Sequence, residues 1–460
     1  MEITETKPRI VEPGITTEDI HRAKDRVRIH NARARTGPFR RLFLLFFLIG
    51  PGILVMLGEN DGPSMLSYAA TGATYGIGFF IPFIVLTFAM AYIVQELTVR
   101  LAAATQRGHA ELIFERFGPF WGRFAMVDLA IGNFLTLVVE FIAIQAGLGF
   151  FGIPVPIAVG LGLLLSIFVM LSRRFWTWER ITLGLAIFNC LFIPVANMVH
   201  PNPIEIGHSL LTWLPLPAGG ITLTLLLFIM SNIGATVTPW MLFFQQSALK
   251  DKGITPKDIP YAKIDTAIGA ILAAVFAVAA LVVTSVLFKH HIDTSSFSNG
   301  PFAAAQFAQA LQPYIGKFGA SIFALAILES GLVAVITISS SSAYAFGEVT
   351  SSAHSLNRPV KEAWKFYAVM IGGALLAGLI VIIPHAPLTL IVLVVNVIAT
   401  LAMPPALIFL ILLVNDRKLM GDYVNTRTEN MLAIGVTIFL VLAGMIWGTV
   451  TILTGLGIMH

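Results

Sequence analysis

The sequence has few charged residues. Asp, Glu, Lys and Arg make up 12% of its 460 residues, about half of the roughly 25% found in soluble globular proteins. Apolar residues account for 57%, and the mean hydropathy is +0.84. A water-soluble core of this size cannot hide so much apolar surface, so the chain is predicted to be an integral membrane protein.

Cysteine is nearly absent, and the single Cys190 excludes a disulfide framework. Cys and His do not cluster at metal-ligand spacing, which argues against a zinc or copper site with soft ligands. There is no P-loop, which argues against ATP-driven pumping. We therefore predict neither an enzyme, a cofactor nor a nucleic-acid partner. The first forty residues are polar and basic, so no cleavable signal peptide is expected.

Long apolar runs, by contrast, are frequent. A membrane span needs about 20 apolar residues, and eleven such segments can be read from the sequence. They lie near 42–58 (continuing after a break to about 77), 79–104, 124–149, 155–172, 181–199, 221–248, 266–288, 318–347, 364–384, 388–413 and 431–456. The sequence therefore predicts an all-α polytopic protein with eleven transmembrane helices.

Basic residues are concentrated in alternate connections between these segments. The clusters are Arg107/Arg116/Arg123, Arg173/Arg174/Arg180, Lys250/Lys252/Lys257/Lys263, Arg358/Lys361/Lys365 and Arg417/Lys418/Arg427. The opposite connections hold only Lys289 and Lys317. The positive-inside rule predicts a cytoplasmic N-terminus and an extracellular His460 in the cell (plasma or inner) membrane.

Two segments are interrupted in corresponding positions. The first contains Gly58, Gly62 and Pro63 around a polar stretch, and the sixth contains Gly234 and Pro239. Pro removes a backbone donor and Gly weakens a helix, so both segments should unwind near mid-membrane. Paired broken helices, five segments apart, indicate inverted repeats around a transporter binding site. Two structural proline kinks are the simpler alternative.

The predicted organisation follows from this spacing. It comprises a basic, solvated cytoplasmic tail (1–40), a first repeat with segments 1–5 (41–215), a second repeat with segments 6–10 (216–415), and the last helix with an extracellular C-terminus (416–460).

Acidic residues inside the apolar segments indicate function, because charge in a membrane is costly. Asp61 lies at the first break, where freed carbonyls could join its carboxylate around a cation. Glu59, two residues earlier, is either an acid beside the site or a direct participant. Glu140 and Glu329 could line an aqueous path or be held protonated.

Glu96, near the end of the second segment, is expected to pair with Arg100 four residues later on the same helix. Further oxygen ligands come from Asn232, Thr236, Thr238 and the carbonyl of Ala235 in the sixth segment. Asn396, alone in the apolar tenth segment, could be a ligand or an interhelical hydrogen-bond partner. Oxygen-only ligands suit hard cations such as magnesium, calcium or manganese.

Several stretches resemble the Nramp family of divalent metal transporters along about 45–455. GPGILVMLGENDGPSM resembles a family pattern ending in Asp-Pro-Gly-Asn, and GATVTPWMLFFQQSAL resembles Gly-Ala-Thr-Val-Met-Pro-His-Asn. YIVQELTVRLAAATQRGHAELI and NVIATLAMPPAL resemble stretches of the family's second and tenth helices. The resemblance implies a LeuT-like (APC-type) fold of two inverted five-helix repeats plus one helix, with helices 1 and 6 broken.

Several positions depart from the family pattern. Asp61 keeps the family's metal-binding Asp, but Ser64 stands where the family has its Asn ligand. Thr238 replaces the Met whose thioether binds transition metals, and Trp240 replaces a His used in proton handling. Leu137 stands where an Asp helps proton exit.

This pattern is similar to that of the Nramp-related magnesium transporters, which are understood to carry hydrated magnesium and manganese without proton coupling. The resemblance therefore implies a monomer in the lipid bilayer that transports Mg²⁺ or Mn²⁺ by alternating access. The metal ligands so implied are Asp61, Ser64, Ala235, Thr238 and Asn396. Residues expected beside the site or on a proton path are Glu59, Asn60, Glu140, Trp240 and Glu329. A proton-coupled Mn²⁺/Fe²⁺ importer of the standard Nramp type and a transporter of an organic solute are the alternatives.

Overall fold

The computed structural model describes residues 48–172, 174–218, 220–293, 303–383 and 388–455, together with isolated positions between 18 and 31. The regular structure in these ranges is helical. The α-helices are α1 (Pro51–Glu59), α2 (Gly62–Tyr75), α3 (Phe80–Thr105), α4 (His109–Phe117), α5 (Pro119–Gly149), α6 (Val155–Met170), α7 (Phe175–Ala186), α8 (Phe192–Met198), α9 (Pro203–Thr212), α10 (Leu223–Gly234), α11 (Pro239–Lys252), α12 (Ile259–Lys289), α13 (Ala303–Val349), α14 (Trp364–Val381), α15 (Leu388–Val414), α16 (Arg417–Met420) and α17 (Arg427–Gly455).

Nine helical segments of the described chain are long and apolar enough to cross a membrane. The first predicted span is not among them because it is split into pieces of 9 and 14 residues, α1 and α2. The fourth, α6, has only 16 residues. The all-helical membrane architecture is confirmed, whereas the count of eleven spans stays a prediction.

Both predicted breaks are present. Between α1 and α2 only Asn60 and Asp61 are non-helical, and Pro63 lies in the first turn of α2, where a missing N–H costs nothing. The sixth span is divided between α10 and α11, and Pro239 begins α11 in the same way. Each break is therefore followed by a proline in the first turn of the second half-helix.

Some boundaries differ from the sequence prediction. The fifth span starts at Phe175 rather than 181 and continues through a 3₁₀ turn, Ile187–Leu191, into α8. Gly316 has a non-helical backbone (φ 69°, ψ 171°) inside α13, so the predicted span 318–347 is the part after this kink. The short helices α4 and α9 were not predicted, because they are not long apolar runs.

The broken first span lies in the interior. It packs mainly on α12, which contacts both α1 and α2, while α13 packs along α5. A Cβ added at Gly72 would lie 2.2 Å from the carbonyl oxygen of Leu281. Only glycine permits this close approach of α2 to α12. The contact holds α2, the half-helix that follows the break, against α12.

Most described positions of the N-terminal tail are exposed, and two acidic residues are exceptions. Glu18 and Asp25 are both buried. Glu18 pairs with Arg358 (2.5 Å) and Asp25 pairs with Arg174 (2.9 Å). Opposite charges in the connections therefore hold these positions of the tail against the helical bundle.

Candidate metal centre

Asp61 occupies the break of the first span. Its Oδ1 accepts a hydrogen bond from the backbone N–H of Ser64 (2.8 Å), so it caps the N-terminus of α2. The N–H of Gly62 donates to Oε2 of Glu140 on α5 (3.0 Å). The carboxyl groups of Asp61 and Glu140 also lie close enough to interact directly. A hydrogen bond between two carboxyl groups needs one proton held between them.

Glu59, the last residue of α1, reaches across to the other broken span. Its Oε2 accepts a hydrogen bond from Oγ1 of Thr238 (2.7 Å), the residue preceding α11. The indole of Trp240 also lies near the Glu59 carboxyl group. Neither Trp240 Nε1 nor Glu59 Oε1 makes a hydrogen bond within the described residues. The two breaks are therefore joined through Glu59 rather than through Asp61.

The second break places main-chain oxygens beside the first. The carbonyl of Ala235 accepts a hydrogen bond from the hydroxyl of Tyr68 on α2 (2.7 Å). A carbonyl oxygen has two lone pairs, so this bond leaves one lone pair of the Ala235 oxygen unused. Tyr68 was missed by sequence reasoning, although its position two turns after Asp61 was an available signal.

Asn396 on α15 lies in an interhelical hydrogen-bond chain. Its Nδ2 donates to Oγ of Ser231 (3.5 Å), and Ser231 in turn bonds to Oγ of Ser67 (2.8 Å). This chain links α15, α10 and α2. The contact fits the interhelical role considered from the sequence, and a ligand role for the side-chain oxygen stays a prediction.

The remaining predicted residues have contacts of their own. Asn60 donates to the carbonyl of Ala273 on α12 (2.9 Å), which holds the backbone of the break. Glu329 accepts from Nδ2 of Asn189 (3.1 Å) and is not hydrogen-bonded to any residue of the two breaks in the described chain. The predicted ion pair of Glu96 with Arg100 is confirmed at 2.9 Å.

The electrostatics of this centre are dominated by acidic groups. Every predicted site residue is buried. Within the described part of the chain, no basic residue acts on the carboxyl groups of Glu59, Asp61 or Glu140. A buried carboxylate needs either a counter-charge or a proton. The C-terminal ends of α1 and α10 also direct partly negative carbonyls toward the breaks.

The donor set limits which cation fits. No group of three or more His, Cys, Asp and Glu that could hold a metal occurs in the described residues, so the protein offers no cage of such ligands. A few carboxylate, hydroxyl and carbonyl oxygens suit an ion that keeps part of its water.

Comparison with known proteins agrees with this architecture. The solved manganese transporter of Eremococcus coleocola, in complex with an aromatic bis-isothiourea substituted compound, superposes with a TM-score of 0.71 at 19% identity. It covers 90% of this chain and 87% of that one. MhsT in complex with L-phenylalanine gives a TM-score of 0.57 at 14% identity, covering 87% and 97%. The fold is thus that of a polytopic membrane protein of the LeuT-like class.

The family follows from sequence comparison. Residues 52–449 match Nramp, described as natural resistance-associated macrophage protein-like. The chain belongs to this family, as its motifs predicted. A protein of Nostoc sp. named "Divalent metal cation transporter MntH" is 28% identical over 444 residues, 92% of this chain and 93% of its own length. One of Xylella fastidiosa with the same name is 26% identical over 406 residues, 84% and 81%.

Proposed function

We propose that the chain transports divalent cations, Mg²⁺ and Mn²⁺ in partly hydrated form, by alternating access and without proton coupling. The observation that carries this proposal is the buried acidic centre between two broken helices, where no basic residue of the described chain neutralises the carboxyl groups. The names of the relatives, divalent metal cation transporters, support the cargo class.

The choice of hard cations rests on the ligand atoms. Asp61 would bind the ion with Ser64, Thr238, Asn396 and the carbonyl of Ala235, all through oxygen. Oxygen ligands favour Mg²⁺ and Mn²⁺ over softer metals. Mg²⁺ loses water reluctantly and is usually bound through one or two carboxylates, which matches a centre with few direct protein ligands.

The driving force would be electrochemical. Trp240 cannot carry a proton where the family's His does, which favours the membrane potential over a proton gradient as the source of energy. An inside-negative potential of 100 mV favours entry by roughly 2.3 kcal/mol per charge, and about twice that for a divalent ion. We place the N-terminus in the cytoplasm and the C-terminus outside the cell membrane, and we expect a monomer.

Purified protein in liposomes tests the proposal, with Mn²⁺ and Mg²⁺ influx recorded beside an internal pH dye. We expect Mg²⁺-competed Mn²⁺ influx without acidification, and loss of influx in Asp61→Ala. Acidification that tracks metal entry would instead support a proton-coupled Mn²⁺/Fe²⁺ importer. Absence of any divalent flux in the unmodified protein would contradict the proposed cargo, and unchanged flux in Asp61→Ala would contradict the site.

A further inference from the structure

The geometry points to Glu59 as a second carboxylate ligand of the transported divalent cation, with Thr238 as the residue that positions it. The inference rests on the proposed function, since it concerns the same cargo. It adds an acid that the family's Asp-Pro-Gly-Asn pattern does not contain, and it gives Thr238 a role beyond that of a ligand.

The position of Glu59 is the first argument. Glu59 ends α1, where the carbonyls of the last turn lack intrahelical partners and carry partial negative charge. Its side chain is fully buried and extends from α1 to Thr238, the residue before α11, whose hydroxyl donates a hydrogen bond to it. The carboxyl group therefore lies between the two breaks, where the cation is proposed to bind.

The hydrogen bonds of Glu59 are the second argument. Oε2 is fixed by the hydroxyl of Thr238 at 2.7 Å, whereas Oε1 is buried and makes no hydrogen bond within the described residues. Buried carboxylate oxygens are nearly always satisfied in folded proteins. The indole of Trp240 is the nearby donor on that side, and it too makes no hydrogen bond of regular geometry in the described chain, so Oε1 is left open to a cation.

Thr238 is placed to orient this carboxylate. It stands at the N-terminal cap of α11, yet its hydroxyl does not cap its own helix. The hydroxyl proton goes to Glu59 instead, which leaves the oxygen lone pairs facing away from that bond and free for the cation. One hydroxyl can thus fix a ligand and serve as one.

Charge balance is the third argument. Glu59 and Asp61 lie near enough to repel each other, and no basic residue of the described chain offsets them. With one proton held between Asp61 and Glu140, the three carboxyl groups of the centre carry two negative charges, which match one divalent cation. A monovalent cation would leave one negative charge buried and a neutral solute would leave two, so Glu59 favours divalent cargo over both.

The experiment measures Mn²⁺ and Mg²⁺ influx into liposomes, with KM and kcat determined separately. Glu59→Gln removes the charge at constant size, Glu59→Asp keeps it, and Thr238→Val removes only the hydroxyl. Glu96→Gln is the matched control, because Glu96 pairs with Arg100 away from the two breaks. We expect Glu59→Gln to raise KM for both ions at least tenfold, Glu59→Asp to restore most of the affinity, and Glu96→Gln to leave KM unchanged.

A binding measurement and a double variant separate a ligand from a structural residue. The rise in melting temperature caused by Mg²⁺ or Mn²⁺ should shrink in Glu59→Gln and persist in Glu96→Gln. Thr238→Val should raise KM in the unmodified protein more than in Glu59→Gln, since coupled residues are not additive.

Each outcome bears on one claim. If the unmodified protein transports the ions, an unchanged KM and an unchanged metal-induced melting shift in Glu59→Gln overturn the role of Glu59 as a ligand. Full additivity with Thr238→Val overturns the positioning role. If Glu59→Gln does not fold, Thr238→Val decides: a wild-type KM together with an unchanged metal-induced melting shift in that variant contradicts the inference. Failure of the unmodified protein to carry either ion counts against the proposed function itself.

Discussion

At the scale of single residues, the tightest contact around the second break is between Gly234 and α15. A Cβ at Gly234 would lie 1.8 Å from the carbonyl oxygen of Asn396. Gly234→Ala must therefore push α10 away from α15, and overpacking of this kind costs about 1–3 kcal/mol. Chemical denaturation in detergent should show that loss, together with reduced metal influx. Gly160→Ala, at a glycine whose Cβ would meet no atom within 4 Å, should change neither; equal effects of both variants would contradict the packing argument.

Single residues also show what the sequence could and could not predict. Asp61 was predicted because Gly and Pro beside an acid within an apolar run indicate a break in a membrane helix. The bond between Glu59 and Thr238 was not predicted, because it joins residues 179 positions apart across two breaks. The same holds for Tyr68 and Ala235. Local pattern predicts where a helix breaks, whereas long-range packing decides which side chains meet there.

At the scale of elements, the first half-helix is held at its start by a buried ion pair. Lys252, at the end of α11, donates to the carbonyl of Ile49 (2.7 Å) and to Glu179 on α7 (3.0 Å). Both carboxylate oxygens of Glu179 accept hydrogen bonds from Lys252, and both side chains are almost fully buried. The carboxylate of Asp265 also accepts from the N–H groups of Gly50 and Gly52. The start of α1 is thus fixed to three other helices.

Removal of Lys252 is expected to loosen α1 strongly. Lys252→Met leaves Glu179 buried without its partner, which typically costs about 3–5 kcal/mol. The free energy of unfolding in detergent should fall accordingly, and Lys252→Met/Glu179→Gln should recover part of it. Lys250→Met is the control, since Lys250 makes a longer, more exposed pair with Glu111 (3.6 Å), worth at most about 1 kcal/mol. Similar losses in the two single variants would contradict a dominant role for the buried pair.

The short helix α4 is expected to make stability depend on pH. His109 begins this helix, is fully buried and bonds through Nδ1 to Oε1 of Gln246 (2.9 Å). Burial lowers the pKa of His109 to about 4, from about 6.5 in an unfolded chain. Between these values the unfolded state binds the proton and the folded state does not, so stability should fall as the pH drops from about 6.5 toward 4.

Melting temperatures of the protein at pH 7.5 and pH 5 measure this dependence. His109→Gln should reduce the difference between the two, because glutamine keeps a hydrogen-bonding group and does not titrate. His208→Gln, at an exposed histidine of α9, should leave the difference unchanged. A pH dependence that survives intact in His109→Gln would show that other groups cause it.

At the scale of the whole molecule, the periodic apolar runs predicted most helices within a few residues. The second span illustrates this, predicted as 79–104 and found as Phe80–Thr105. The helices that were not predicted are short segments whose helical state depends on packing against the rest of the protein. The amphipathic α4 is an example, because its buried face is stabilised by the bundle rather than by lipid. The apolar composition predicted the membrane class, whereas tertiary contacts decide which short segments between the spans become helical.

At the same scale, the basic connections predict the orientation of the molecule in the membrane. In a Cys190→Ser background, Lys289→Cys places a thiol at the C-terminal end of α12, and Lys257→Cys places one in the connection before α12. Both positions are exposed, so access to reagent depends only on the side of the membrane. By the positive-inside rule, a membrane-impermeant maleimide should label position 289 in intact cells and position 257 only after permeabilisation. The reverse labelling pattern would contradict the predicted orientation and show the opposite topology. Labelling of both positions in intact cells would contradict a membrane span at α12.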